Sequence, residues 1–566
     1  MSFAIPHKFL PTFRTSRDSS RSSLPHECGA IPVAVLDLSS LLALDTPPKN
    51  SSTTVGLQPD PPESGKPMHD VVHHREHLGQ NQQVLLRVHM DVPFGRKESQ
   101  AEAEEDRLSA LPDDILLNIL ERLYLHNLMH TSTLSRRWRH LPLLVSRLVL
   151  HVDEFLQCSE SRTIGKVMVS YCEATTKLLA STTSAIKDIR LSFYLADPCH
   201  LHSIGQAVGN AVQSSNIDFL EFNIWPEIRG PRCTEEHRML FGQRFMSFLD
   251  ACPNTFGSLT SITLRNLQFG EADMQTIVNT CDNLQALSLH SCMLGNTHSV
   301  LKIDAPSSQL VALEFSRCHF SQVELTCLPR LARLVYDTWL CDKSPLLFGY
   351  VPRLRNIRAA CALLSWQMPF TLSGCLSNTS SLSTLYLDFH DEMVWFQPED
   401  PKKLVHAFSN LKVVHLYGIF ADCDLKWTLL FLEAAPFLHS FYVNISRHIC
   451  GRYKLSCADN AEKTNVLWEP SDFKHYNLNL LDIEGFQKEE KLISYIKLVM
   501  ERAVTLRNIH LHYMERCERC DSINKQAALP IMAKFHNNEG EHNLIRKLVT
   551  NGSSSSSLSS IEIIIE

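Results

Sequence analysis

The sequence predicts an α/β protein: a unit of three short helices followed by a solenoid of stacked parallel strands, a horseshoe in which each turn of chain covers the last. Three observations carry this expectation. The pattern L-x-x-L-x-L recurs twelve times after residue 148, a helical apolar stripe lies in 106–147, and residues 1–105 show no sustained period.

Residues 1–105 are expected to be a disordered extension. The stretch PPKNSSTTVGLQPDPPESGKP is rich in proline and small polar residues and cannot bury a core. AIPVAVLDLSSLLAL at 30–44 is a local apolar exception, a short helix or binding segment. Arg14, Arg17, Arg21 and several serines near the start are mildly like an organelle transit peptide, but Pro6, Pro11 and Pro25 interrupt an amphipathic helix.

Composition narrows the function classes. The 566 residues carry 54 basic and 61 acidic side chains, a net charge of −7, which disfavours a nucleic-acid binder. No apolar run approaches the roughly 18 residues of a membrane span, so no membrane partner is expected. The 18 cysteines are scattered and read as reduced, mostly buried thiols.

Residues 106–147 hold the helical unit. Leu111, Ile115, Leu116, Ile119, Leu120 and Leu123 make one wide helical stripe. Pro112 suits the first turn, and Asp113 and Asp114 complement the helix dipole. Asn127 is placed to cap a second helix carrying Leu128 and Met129, and a third helix is expected over Leu134, Trp138 and Leu141, ending near Pro142. So small a unit has a marginal core and calls for a partner over its remaining apolar face.

From 148 to 475 the repeats take over. Their segments begin at 186, 217, 259, 284, 310, 331, 354, 382, 411 and 438, with two more at 478 and 506. Starts between 259 and 438 are 21 to 29 residues apart, the period of leucine-rich repeats, whereas outer spacings reach 42 and imply insertions or missed units. Alternate strand residues such as Leu284, Leu287 and Leu289 should point into the core, with Ala286 and Ser288 on the open concave face. Cys292 and Cys318 fill the post-strand position that ties the turning backbone.

With these residues on the page, LPDDILLNILERL followed by TLSRRWRHL resembles the F-box. The resemblance implies contact with a Skp-type adaptor, and through it a cullin, by Leu111, Pro112, Ile115, Leu116, Ile119, Leu120, Leu134, Ser135, Arg137 and Trp138, with Trp138 as the large anchor. Leu134 stands where valine is commoner, a change that keeps apolar volume. Residues 476–520 resemble the FBD module of plant F-box/LRR proteins: a strand LLDIEGF, a helix KLISYIKLVMERA with Leu492, Ile493, Ile496 and Val499 on one face, and a strand LRNIHL. The resemblance implies a non-catalytic subunit of a Skp–cullin–F-box (SCF) ubiquitin ligase, in nucleus and/or cytoplasm, that presents an unknown protein substrate. The alternative is a non-ligase interaction scaffold with a vestigial or repurposed F-box.

Ser261, Thr263, Ser288 and Glu314 are candidate substrate-facing positions on the open sheet. Cys517 and Cys520 form one CxxC near His510 and His512, but a zinc site usually needs two such pairs, so no metal or other cofactor is expected. No phosphate loop, nucleophile elbow or HExxH sequence indicates catalysis. The tail, 521–566, ends in a serine linker and a β-prone hexapeptide expected to pair as an edge strand on the last repeat.

Overall fold

Every L-x-x-L-x-L segment becomes a strand, because a period of two sends its apolar residues to one side, where they stack on those of the next repeat. The computed structural model describes the chain from residue 108 onward, except for segments of which 448–467 and 521–538 are the longest. The expectations for residues 1–105 lie outside the described residues, as do the Ser-rich linker and Cys517.

Fourteen strands form one sheet, each hydrogen-bonded to the next in sequence. They are β1 (Arg147–His151), β2 (Asp188–Tyr194), β3 (Phe219–Trp225), β4 (Ser261–Arg265), β5 (Ala286–His290), β6 (Ala312–Ser316) and β7 (Arg333–Trp339). There follow β8 (Asn356–Cys361), β9 (Thr384–Asp388), β10 (Val413–Phe420), β11 (Ser440–Ser446), β12 (Leu480–Glu484), β13 (Asn508–His512) and β14 (Glu562–Ile565). All thirteen pairings are parallel. Strands β2 to β13 coincide with the twelve sequence segments, and β14 is the expected edge strand. β1, which follows the helical unit directly, is an addition to the sequence reading, although VSRLVL at 145–150 carries the same alternation with valine at its first position.

Core and open faces separate as the period requires. Leu284, Leu287 and Leu289 are fully buried, and Ala286 and Ser288 lie half-buried on the open side. The turn after the strand is also repeated. Asn266, Ser291 and Arg317, each following its strand directly, have φ of 56°, 53° and 53°, so the chain leaves the sheet through a left-handed residue. Their amides donate to His290, Ser316 and Asp337 carbonyls of the next repeat, at 2.9, 2.8 and 2.9 Å. Beyond them the Cys318 thiol donates to the Leu289 carbonyl at 3.2 Å and the Cys292 thiol reaches that of Leu264 at 3.7 Å. Burial raises the Cys318 thiol well above its ordinary range, which keeps it protonated and able to donate.

The long outer spacings insert no further strand into the fourteen-stranded sheet, because β2–β3–β4 and β11–β12 are direct neighbours in it. The early repeats instead carry full helices: α3 (Ile164–Ser181), α4 (Pro198–Ser214) and α5 (Glu235–Ala251), counted after α1 (Asp113–Leu120) and α2 (Leu125–Thr131) of the helical unit. An aromatic cluster of Phe193, Phe222, Phe248 and Phe256 fills the space under them, with Phe248 and Phe256 edge to face at 4.9 Å. In the middle repeats the connectors are themselves strands, and Val300–Asp304, Gln322–Cys327 and Leu346–Tyr350 make a separate three-stranded parallel sheet.

The last repeats follow the expected strand, Gly-Phe turn, helix and strand. α6 (Glu490–Arg502) buries Leu492, Ile493, Ile496 and Val499. Gly485 has φ of 76°, and a Cβ there would collide with the Ile445 carbonyl, so the turn accepts only glycine. No helix among the described residues is long and apolar enough to cross a membrane.

Candidate interaction surfaces

The helical unit differs from its sequence expectation in two respects. α2 begins at Leu125, so Asn127 lies inside it and does not cap it. The third helix is absent: residues 132–140 run through turns to a single 3-10 turn at Leu141–Leu143. The hydroxyls of Ser132 and Thr133 bond back to the Met129 and His130 carbonyls, at 2.6 and 2.8 Å, competing with helix continuation, and Pro142 has no amide to donate.

The wide stripe of α1 divides in two. Leu116 and Leu120, one helical turn apart, are fully buried, and with Leu128, Met129, Leu141 and Val145 they form the unit's core. Ile115, 45% exposed, points away from that core, with Leu111 and Ile119 half-buried and Pro112 exposed. Leu134 is 67% exposed, on a turn that the Arg137 side chain draws against the start of α1. Arg137 donates to the Asp113 carboxylate at 2.6 and 2.9 Å and to the Leu111 carbonyl at 2.6 Å. Ser135 is exposed, its Oγ accepting from the Trp138 amide at 3.4 Å. Trp138 itself is 4% exposed, enclosed by its own unit, whereas Leu134 and Ile115, like Leu108 and Leu144, are large apolar side chains left exposed. At the far end, Glu121 accepts from the Ser146 amide and hydroxyl at 2.9 and 2.6 Å, fastening α1 to the start of β1.

The open side of the sheet is the second surface. The fifth position of successive repeats falls in one register row, Thr263, Ser288, Glu314, Val335, Arg358, Tyr386, His415, Tyr442, Asp482 and His510. Ser261, Thr263, Ser288 and Glu314 are all half-buried on this side, and Ser288 donates to Glu314 at 3.3 Å. The aromatic middle of the row is the part a residue-by-residue sequence reading overlooks. Arg358 sits over the Tyr386 ring at 4.6 Å, Tyr386 lies 5.7 Å from His415, and His415 stacks on Tyr442 at 4.3 Å and 11°. Burial lowers the His415 imidazole from its ordinary 6.5, favouring the neutral ring that stacks at neutral pH. The signal was available: the fifth letters of LSTLYL, LKVVHL and LHSFYV spell Tyr, His, Tyr.

His510 and His512 face Asp482 on this side, while Cys520 is buried. The strand histidines therefore have an aspartate for a neighbour.

Comparison with known proteins adds two domain matches. Residues 108–148 match the F-box domain, and residues 246–553 match the At1g61320/AtMIF1 LRR domain. Among Arabidopsis thaliana relatives, an FBD-associated F-box protein is 24% identical over 358 residues, covering 59% of this chain and 79% of that one. An F-box/LRR-repeat protein is 25% identical over 42% of this chain and 48% of its own. An F-box/FBD/LRR-repeat protein is 27% identical over 41% of this chain and 56% of its own. The chain thus spans about half the length of the last two.

Proposed function

We propose, from the premise that the chain belongs to the At1g61320/AtMIF1 LRR-domain family and is a plant F-box/LRR protein with a C-terminal FBD-like module, that it is a substrate-recruiting, non-catalytic adaptor of an SCF-type ubiquitin ligase. The F-box docks a Skp-type adaptor and through it a cullin, and the open sheet presents a protein substrate to an enzyme that supplies the chemistry. We place this activity in the nucleus and/or cytoplasm.

One observation supports the docking most directly. The F-box core is complete without Ile115 and Leu134, yet both remain exposed, on a helix and a turn that Arg137 ties together. Exposed large apolar side chains on a unit with little surface to spare mark a contact site. Full burial of such a side chain contributes about 1.5–3 kcal/mol, of which Ile115 and Leu134 retain roughly half to two-thirds to gain. The substrate side rests on the Arg358–Tyr386–His415–Tyr442 row, since arginine and tyrosine dominate binding hot spots.

The test is co-precipitation of a Skp-type adaptor with the full chain and with the double variant Ile115→Ala/Leu134→Ala. The wild type should capture the adaptor and the variant should lose it while keeping its unfolding midpoint. Undiminished capture by the variant, or none by the wild type, would favour a non-ligase scaffold.

A further inference from the structure

We propose that Asp482, His510 and His512 form a binding site for one divalent transition-metal ion of the zinc type, on the open side of the last repeats. The proposal is independent of the ligase reading.

The site is built by strand register. Asp482 on β12 is the direct neighbour of His510 on β13, and His512 follows two residues on, so all three side chains leave the same side of the sheet. Asp482 Oδ2 lies 3.6 Å from His510 Nδ1 and 3.5 Å from His512 Nε2. These separations exceed the ~2.7–2.9 Å of a charge-assisted hydrogen bond. They come close to the ~3.3–3.4 Å between two ligand atoms bonded at about 2.0–2.1 Å to one tetrahedral ion. One ligand atom from each residue lies within 4.8 Å of the others, the one such group of three among the described residues. The two imidazole planes stand at 85°, which lets their nitrogens approach one point from different directions.

The surroundings suit an ion as well. Asp482, His510 and His512 are 18%, 30% and 32% exposed, sheltered yet reachable from solvent. The far nitrogen of His512, Nδ1, faces Glu566 Oε2 at 3.6 Å. A carboxylate behind a ligating imidazole sets its tautomer and raises its basicity, which is how bound histidines are usually held. The backbone of Glu566 is held beside β13, its amide donating to the Leu511 carbonyl at 3.0 Å and its carbonyl accepting from the Tyr513 amide at 2.8 Å, while its carboxylate is 68% exposed. Two neutral imidazoles and one carboxylate select a borderline transition ion over calcium or magnesium, and the open positions go to water.

The full chain, stripped with a chelator, is equilibrated with zinc chloride and dialysed, and bound zinc is counted. Cobalt chloride then reports coordination through its visible spectrum. The wild type should retain one ion that His510→Gln/His512→Gln and Asp482→Asn lose. Glu566→Gln should weaken binding by about ten-fold, the lower end of effects seen for such supporting groups. Cys517→Ser/Cys520→Ser should bind as the wild type does. Circular dichroism verifies that these variants are folded. Equal retention by the wild type and the histidine double variant, no retained ion in the wild type, or loss only in the cysteine variant would each overturn the site.

Discussion

At the scale of single residues, the F-box separates enclosed apolar side chains from exposed ones. Trp138, Leu116 and Leu120 are enclosed by their own unit, whereas Ile115 and Leu134 look outward. Trp138→Ala should cost about 3–5 kcal/mol, the range for emptying a large aromatic site. Ile115→Ala and Leu134→Ala should each stay within about 0.5 kcal/mol of wild type, as exposed substitutions do. Denaturant unfolding of the three variants checks this, and equal destabilisation by all three would sink the division.

His475 is a second residue-scale case. It is 3% exposed, with Nε2 at 3.0 Å from the Ala435 carbonyl and Nδ1 facing the Asn477 and Leu478 amides at 3.3 and 3.0 Å. A carbonyl on one nitrogen and two N–H groups on the other fix a neutral ring protonated at Nε2. Burial accordingly lowers its pKa from the ordinary 6.5. The unfolded chain takes up a proton as pH falls through about 6.5 and the folded chain does not, so stability is present above that pH and declines below it. His151, His290, His319 and His415 are also lowered by burial and act in the same direction, His290 to about 4. The urea midpoint should be flat between about pH 7 and 8 and fall on acidification. His475→Gln should be less stable at neutral pH but decline less steeply; parallel curves for the two proteins would refute this account.

At the scale of elements, the open edge of the sheet is the informative feature. β14 pairs with β13 and buries Ile563 and Ile565 to 8% and 6% exposure. Without it, β13 would present a row of unpaired amides and carbonyls, a template for another chain. Deletion of residues 561–566 should lower the thermal midpoint and raise light scattering at high concentration. A truncated protein matching the full chain in both would show that β14 is ornamental. The strand also carries Glu566 to His512, so the same deletion bears on the metal site.

At the scale of the whole molecule, repeated fastenings make one continuous scaffold from F-box to last strand. Glu121 to Ser146 joins the helical unit to β1, and the Ser146 carbonyl accepts from the Lys187 amide at 2.8 Å, passing the connection to the next repeat. Amides preceding later strands continue it, Gln285 to Thr260, Val311 to Gln285 and Ala332 to Val311, each at 2.8 Å. A repeat array of this kind derives its stability from contacts between neighbours. It holds two separate surfaces at opposite ends of the chain's order: an apolar one on the F-box and an aromatic and charged one along β8–β13.

The sequence by itself determined the repeat architecture, because the alternation in L-x-x-L-x-L is a property of each strand alone and twelve copies keep it in phase. It also determined the Gly-Phe turn and the buried face of α6, which are equally local. Tertiary structure decided which half of the F-box stripe turns inward, since Ile115 and Leu116 are both apolar and only packing makes one exposed and the other buried. It decided that residues 132–140 run as turns, through competing hydroxyl bonds. It also decided that Asp482 meets His510 and His512. Asp482 lies one repeat before His510, and strand register sets the two side by side.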